Sequence, residues 1–242
     1  MARVLIVPSA VDCDPSEVAL PWSLFVAAGH SVAIATTDGS APLADDRMLR
    51  GTGLSLLAPV LKARGDAVDA WHRLSLSPGY RQPRRVDDVD VNSFDAVIFP
   101  GGHAPAMRTY LEHPGVQQLA RLAFEHRKIV GAICHGVVVL ARAGVLKGRK
   151  TTSLTRQQEM LAWNLTRLWL GSYYRTYETS VQDEVMAALS SSSDYQAGPM
   201  ALLRDDPEHL ARGFVVEDGD YVSARWPGDA HAFTRALLTR LR

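Results

Sequence analysis

Cysteine is scarce in this chain: Cys13 and Cys134 are the only two among 242 residues. Two thiols build no disulfide framework, and such economy suits a reducing compartment. No sign of charge dominates either. Lys plus Arg and Asp plus Glu number 26 each, a formal net charge of zero, so no global field draws the chain to nucleic acid or anionic lipid. Apolar runs are short. None reaches the roughly 20 residues of a membrane span, and the apolar start Val4-Leu5-Ile6-Val7 is cut by Pro8 before it could serve as a signal peptide. The expectation is a cytoplasmic protein with no membrane or nucleic-acid partner. Metal-ligand spacing is missing as well: there is no close Cys pair and no His-x-x-x-His, and His72, His113, His126, His209 and His231 are scattered. Pro8-Ser9-Ala10 stands where a glycine-rich phosphate loop would follow the first strand. No cofactor is expected. With no repeats and no linker-like stretch, the chain reads as one domain over 1–242, with insertions near 40–92 and 155–212.

What is present is alternation of short aliphatic runs with helical patterns. Arg3 to Pro8 reads as a buried strand, Pro15 to Gly29 as a helix, and Ser31 to Thr37 as a second strand, a unit whose short links favour a parallel pair. Leu54 to Leu74 has helical spacing, and the polar stretch from Ser75 to Asp90 reads as a surface excursion. Asp95 to Pro100 is a third core strand, and Met107 to Leu111 and Val116 to His126 are helical. Leu146 to Leu154 suggests a short strand. Helices are then predicted from Arg156 to about Leu170 and from Gln182 to Leu189, with a serine-rich loop at Ser190 to Asp194. Gly213 to Ala224 carries two β-rich runs around Asp218-Gly219, a hairpin signal, and Pro227-Gly228-Asp229 opens a final helix. The pattern predicts an α/β sandwich with a mainly parallel central sheet.

The most constrained segment is Lys128-Ile129-Val130-Gly131-Ala132-Ile133-Cys134-His135-Gly136-Val137-Val138-Val139-Leu140. An apolar run stops at a thiol and restarts beyond a glycine, which reads as strand, sharp turn, helix. A nucleophile elbow requires small residues on either side of the reactive one, and Ala132 and Gly136 meet that need. The helix that follows would point its N-terminus at the sulfur and favour thiolate. In a parallel sheet, ligands gather outside the carboxyl ends of the strands, so Gly101-Gly102-His103 and Cys134 fall on one rim.

The order of these elements, with Phe99-Pro100-Gly101-Gly102-His103, Ala132-Ile133-Cys134-His135-Gly136 and Tyr221-Val222-Ser223-Ala224-Arg225-Trp226-Pro227-Gly228-Asp229 before a C-terminal helix, resembles the DJ-1/PfpI superfamily. The histidine directly after the cysteine is similar to the PfpI and Hsp31-like branches. The resemblance implies a flavodoxin-like three-layer sandwich that is usually a homodimer. It implies Cys134 as nucleophile, His135 as base, and Glu17 as the early acid that contacts the sulfur. It also implies backbone N–H groups of Gly101, Gly102 and His135 as an oxyanion site. The acid that orients the imidazole in the Hsp31-like branch has no clear counterpart: the nearest carboxylate downstream is Glu159, with Gln157 or Gln158 also near that place. His103 continues the Gly-Gly-His pattern as a scaffold residue, and Arg225 reads as scaffold within reach of substrate or Glu17.

Members of those branches act as glyoxalase III type enzymes, proteases, amidases, chaperones or deglycases. The leading expectation is a cofactor-independent conversion of a small 2-oxoaldehyde such as methylglyoxal to a 2-hydroxy acid through a hemithioacetal on Cys134. The alternatives are a PfpI-like amidase or peptidase, an isonitrile hydratase, or a non-catalytic redox sensor or stress chaperone in which Cys134 is oxidised. A glutamine amidotransferase is disfavoured, because Pro207-Glu208-His209 reverses that class's late His-Pro-Glu order. Trp163 to Tyr174 is aromatic enough for a lid or a dimer face, although Trp and Leu at this spacing favour a core helix.

Overall fold

The computed structural model describes residues 1–200 and 203–241, so Ala201 and Leu202 of the anticipated 155–212 insertion lie outside the described residues. The chain opens with β1 (Arg3–Ile6), α1 (Pro15–Ala27) and β2 (Ser31–Thr36). Between β2 and the next core strand come α2 (Asp46–Arg50), α3 (Ala58–Leu61), α4 (Gly65–Ser75), α5 (Pro78–Arg81) and the two-residue β3 (Arg84–Arg85). The core resumes with β4 (Ala96–Phe99), α6 (Arg108–Leu111), α7 (Pro114–Glu125), β5 (Ile129–Ile133) and α8 (Gly136–Ala143). Then follow α9 (Arg156–Leu170), α10 (Val181–Ala187), the hairpin β6 (Val215–Asp218) and β7 (Tyr221–Ala224), and α11 (Ala230–Arg240).

Among the described residues the strands form one seven-stranded sheet in the order β3-β2-β1-β4-β5-β7-β6, parallel except for the β6–β7 hairpin. Strand periodicity separates its two faces. Leu5, Val97, Phe99, Val130 and Ala132 pack with α7 and α8, while Val4, Ile6, Ala96, Ile98 and Val222 pack with α1, α4 and α11. The result is the expected three-layer α/β sandwich. The chain runs outward from β1 through β2 to β3 and then returns to β4 on the other side of β1, so direction reverses between β1 and β4. The carboxyl ends of β1, β4 and β5 meet there, the place where open α/β sheets bind ligands. No helix among the described residues is long and apolar enough to cross a membrane.

Three expectations need correction. The helix over Leu54–Leu74 is broken into a 3-10 turn at Ser55–Leu57, α3 and α4. Pro59 has no N–H for a continuous helix and sits in the first turn of a new one, and Lys62 and Arg64 are extended between α3 and α4. The strand over Leu146–Leu154 does not form. That segment makes one isolated bridge, Thr151 to Tyr195, and its Thr152 N–H donates to the Ser223 hydroxyl at 2.9 Å. Finally, α9 is not a core helix. Leu161, Leu165, Leu168 and Trp169 are 50%, 49%, 91% and 48% exposed, and only Glu159 and Thr166 on it are buried. Its apolar residues cover a cavity at the rim instead.

Candidate active site

Cys134 stands between β5 and α8 with φ of +58°, a left-handed backbone that costs a non-glycine residue roughly 1–3 kcal/mol and is held only by tight surroundings. Those surroundings are visible at two glycines. A Cβ on Gly136 would stand 2.0 Å from the Phe99 carbonyl oxygen, and one on Gly101 would stand 2.6 Å from the His135 nitrogen. The loops after β4 and β5 therefore touch backbone to backbone, which only glycine permits. The sulfur emerges at a cavity of about 210 Å³ whose lining includes Asp14, His103, Glu159, Tyr174, Arg204 and Trp226.

Glu17 reaches the same point from α1. Asp14 caps that helix, accepting from the Ser16 and Glu17 N–H groups at 2.8 and 3.1 Å, and this fixes Glu17 in the first turn. Glu17 is fully buried. Its Oε2 accepts the Gly101 N–H at 2.7 Å, and its Oε1 has no nitrogen or oxygen partner, leaving the Cys134 thiol as its neighbour. Burial first, then the charge of Asp14, pushes this carboxyl well above its ordinary range. Since the Gly101 N–H makes Oε2 an acceptor, the proton of neutral Glu17 belongs on Oε1, beside the sulfur.

The thiol does not behave as its helix position suggested. Burial first, then carboxylate charge, which falls to Asp14 once Glu17 holds its proton, raises Cys134 well above the ordinary thiol value, and the His135 N–H beside the sulfur does not reverse this. Both shifts run toward the protonated forms, a thiol and a carboxylic acid side by side. His135 Nδ1 lies 3.5 Å from Cys134 Sγ. Its tautomer follows from the partner of the other nitrogen. The Thr176 hydroxyl donates to the His103 carbonyl at 2.6 Å, so its oxygen can only accept from His135 Nε2, 3.1 Å away. Nε2 thus carries the proton, and the Nδ1 lone pair faces the thiol. Burial lowers His135 to about 3, so the ring is neutral throughout the physiological range.

Three expected roles change. Glu159 does not orient His135; its Oε2 accepts the Val181 N–H at 3.0 Å and its Oε1 lies 3.8 Å from Arg175. It caps α10 and borders the cavity, while the neutral Thr176 stands where the carboxylate was sought. Gly101 cannot be an oxyanion donor, because its N–H is bound to Glu17. Among the described residues no protein oxygen accepts from the Gly102 or His135 N–H, and the His135 N–H lies beside the Cys134 sulfur. Arg225 also meets neither substrate nor Glu17. It is 1% exposed and forms a two-pronged pair with Asp229, both N···O distances 2.9 Å, that fixes the turn before α11.

Sequence reasoning missed Thr176, Tyr174 and Arg204. His103 stacks on Tyr174 with ring centres 4.3 Å apart and meets Tyr173 edge-on at 4.9 Å, while the Tyr173 hydroxyl donates to Asp45. Burial holds the His103 ring neutral, with a value lowered to about 3. The only available signal was the run of aromatic and hydroxyl residues from Ser172 to Glu178, which carried no indication of what it would cover.

A positive-φ cysteine at the carboxyl end of a parallel strand, against a buried glutamic acid and a buried histidine, defines an α/β protein built on a cysteine elbow. The sequence pattern of the DJ-1/PfpI family matches residues 2–240, and the chain belongs to that family. A deglycase of Thermococcus kodakarensis is 32% identical over 156 residues, covering 64% of this chain and 68% of the relative. The deglycase PfpI of Pyrococcus furiosus is 33% identical over the same coverage. Glyoxalase III of Candida albicans superposes with a TM-score of 0.68 at 16% identity, covering 98% of this chain and 96% of that one, a likeness of fold.

Proposed function

We propose that the protein is a cofactor-independent cysteine enzyme that converts 2-oxoaldehydes to 2-hydroxy acids. The observation that carries this reading is the Nδ1 lone pair of neutral His135 aimed at the Cys134 thiol, with the N–H groups of Gly102 and His135 on the same rim, neither given to a protein oxygen among the described residues. In the reaction, Nδ1 takes the thiol proton as sulfur attacks the aldehyde carbon, and Glu17 Oε1–H steadies the charge while it rests on sulfur. Nδ1 then returns that proton to the hemithioacetal oxygen, and the freed lone pair takes the C–H proton, giving an enediolate whose oxygen faces the two N–H groups. Each such donor contributes on the order of 3 kcal/mol to transition-state stabilisation.

Return of the proton to the neighbouring carbon yields a thioester of the 2-hydroxy acid, and water releases the acid and restores the thiol. The aldehyde carbon is oxidised and the ketone carbon reduced within one molecule, so no outside electron carrier is required. A cavity of about 210 Å³, below the roughly 300–1,000 Å³ of pockets for drug-sized ligands, fits a small substrate better than a peptide. The test is lactate formation from methylglyoxal by purified protein and by Cys134→Ala. Turnover lost in the variant supports the reading, and turnover at the original rate eliminates it. Amides and isonitriles assayed in the same panel separate the hydrolytic alternatives.

A further inference from the structure

Resting on that reading, the walls of the cavity narrow the substrate class. One side is lined by Val60 and Leu61 of the α3 segment and by Leu161, Ala162 and Leu165 of α9, with Trp226 also bordering the space. Leu161 and Leu165 are half-exposed at this edge, apolar surface that an occupant would cover. The two carboxylates in the described lining are already engaged, and the one cation there, Arg204, is held against the wall. Glu159 accepts from Val181, Asp14 caps α1, and Arg204 donates to the Leu61 carbonyl at 3.0 Å and lies over the Trp226 ring at 5.4 Å. The unpartnered buried polar atoms are on neutral groups: His103 Nε2, the Tyr174 hydroxyl and Trp226 Nε1. Such a site offers hydrogen bonds to uncharged oxygens and an apolar wall to whatever is attached to them.

We propose that the preferred substrates are 2-oxoaldehydes bearing an uncharged apolar substituent, an aryl or longer alkyl group, seated against Leu61, Leu161, Ala162 and Leu165. Methylglyoxal, with one methyl group, leaves that wall empty. Selection by an apolar wall is worth about tenfold or more in kcat/KM.

The test compares phenylglyoxal, read out as mandelate, with methylglyoxal, read out as lactate, for wild type and Leu165→Asp. Leu165 is half-exposed, and circular dichroism and thermal melting establish that the variant is folded. Wild type should favour phenylglyoxal by about tenfold or more in kcat/KM. In Leu165→Asp the ratio of the two kcat/KM values should fall at least about fivefold, because a charge now stands against the ring. A wild type that prefers methylglyoxal, or a variant that leaves the ratio unchanged, overturns the proposal while the proposed reaction stands. If neither compound is turned over, the reaction itself falls, and calorimetric binding of acetophenone, an apolar ketone without the aldehyde, decides the inference. Binding that Leu165→Asp weakens upholds the apolar site, and no binding to wild type overturns it.

Discussion

Two regions of this molecule face each other across Cys134, and they are built on opposite principles. Below the sulfur, the ends of β1, β4 and β5 are packed so closely that a methyl group on Gly136 would overlap a carbonyl oxygen, and Glu17, Cys134 and His135 are all buried. Above it, α9 and the α3 segment present half-exposed leucines, a broken helix and apolar side chains open to solvent. The contrast teaches where each property resides. In the proposed reaction the lower region would fix atoms to the precision that proton transfer needs, and the upper region would supply the surface that selects what enters.

The largest effect should come from disturbing the tight side. Gly136→Ala places a Cβ 2.0 Å from the Phe99 oxygen, and we expect a loss of about 3 kcal/mol or more in unfolding by urea, against an ordinary helix-start Gly-to-Ala change that would be nearly neutral. Glu17→Ala should follow, costing about 1–3 kcal/mol because the buried Gly101 N–H loses its acceptor; Glu17→Gln, which keeps one, should recover most of it in the same measurement. Thr176→Val comes next. Without its oxygen, His135 Nε2–H has no acceptor, and kcat should fall about 10–100-fold with little change in melting temperature, while Thr176→Ser restores it. On the open side, Leu168→Glu at a 91% exposed position should shift stability by no more than about 0.5 kcal/mol. A large loss there would mean that the cover is as rigid as the floor.

The same division governs what could be read from the chain. β1, β4 and β5 were legible because burial on both faces demands unbroken aliphatic runs, and the elbow because close approach demands small residues around Cys134. By contrast, β3 is two exposed arginines, Arg84 and Arg85, joined to β2 by backbone alone, and no side-chain pattern could mark it. Helical spacing carried the reading of α9 to within its true limits but assigned its leucines to a core, since periodicity records an apolar face and not what lies opposite it. Thr176 was hidden for a related reason. It meets His135 across 41 positions of chain, and a hydroxyl doing the work expected of a carboxylate leaves no motif. The thiol's setting was only half legible, because the helix N-terminus is a local feature, whereas the burial and the carboxyls that raise its pKa come together only in the fold.

The direct test of this account is the pH dependence of Cys134 alkylation by iodoacetamide, followed on its own peptide by mass spectrometry. A thiol held neutral by burial beside Glu17 and Asp14 should react slowly at pH 7, with a rate that climbs about tenfold per unit to pH 9 without levelling. A rate that has already reached its plateau below pH 7 would mean a resting thiolate, and would contradict the neutral pair from which the proposed chemistry begins.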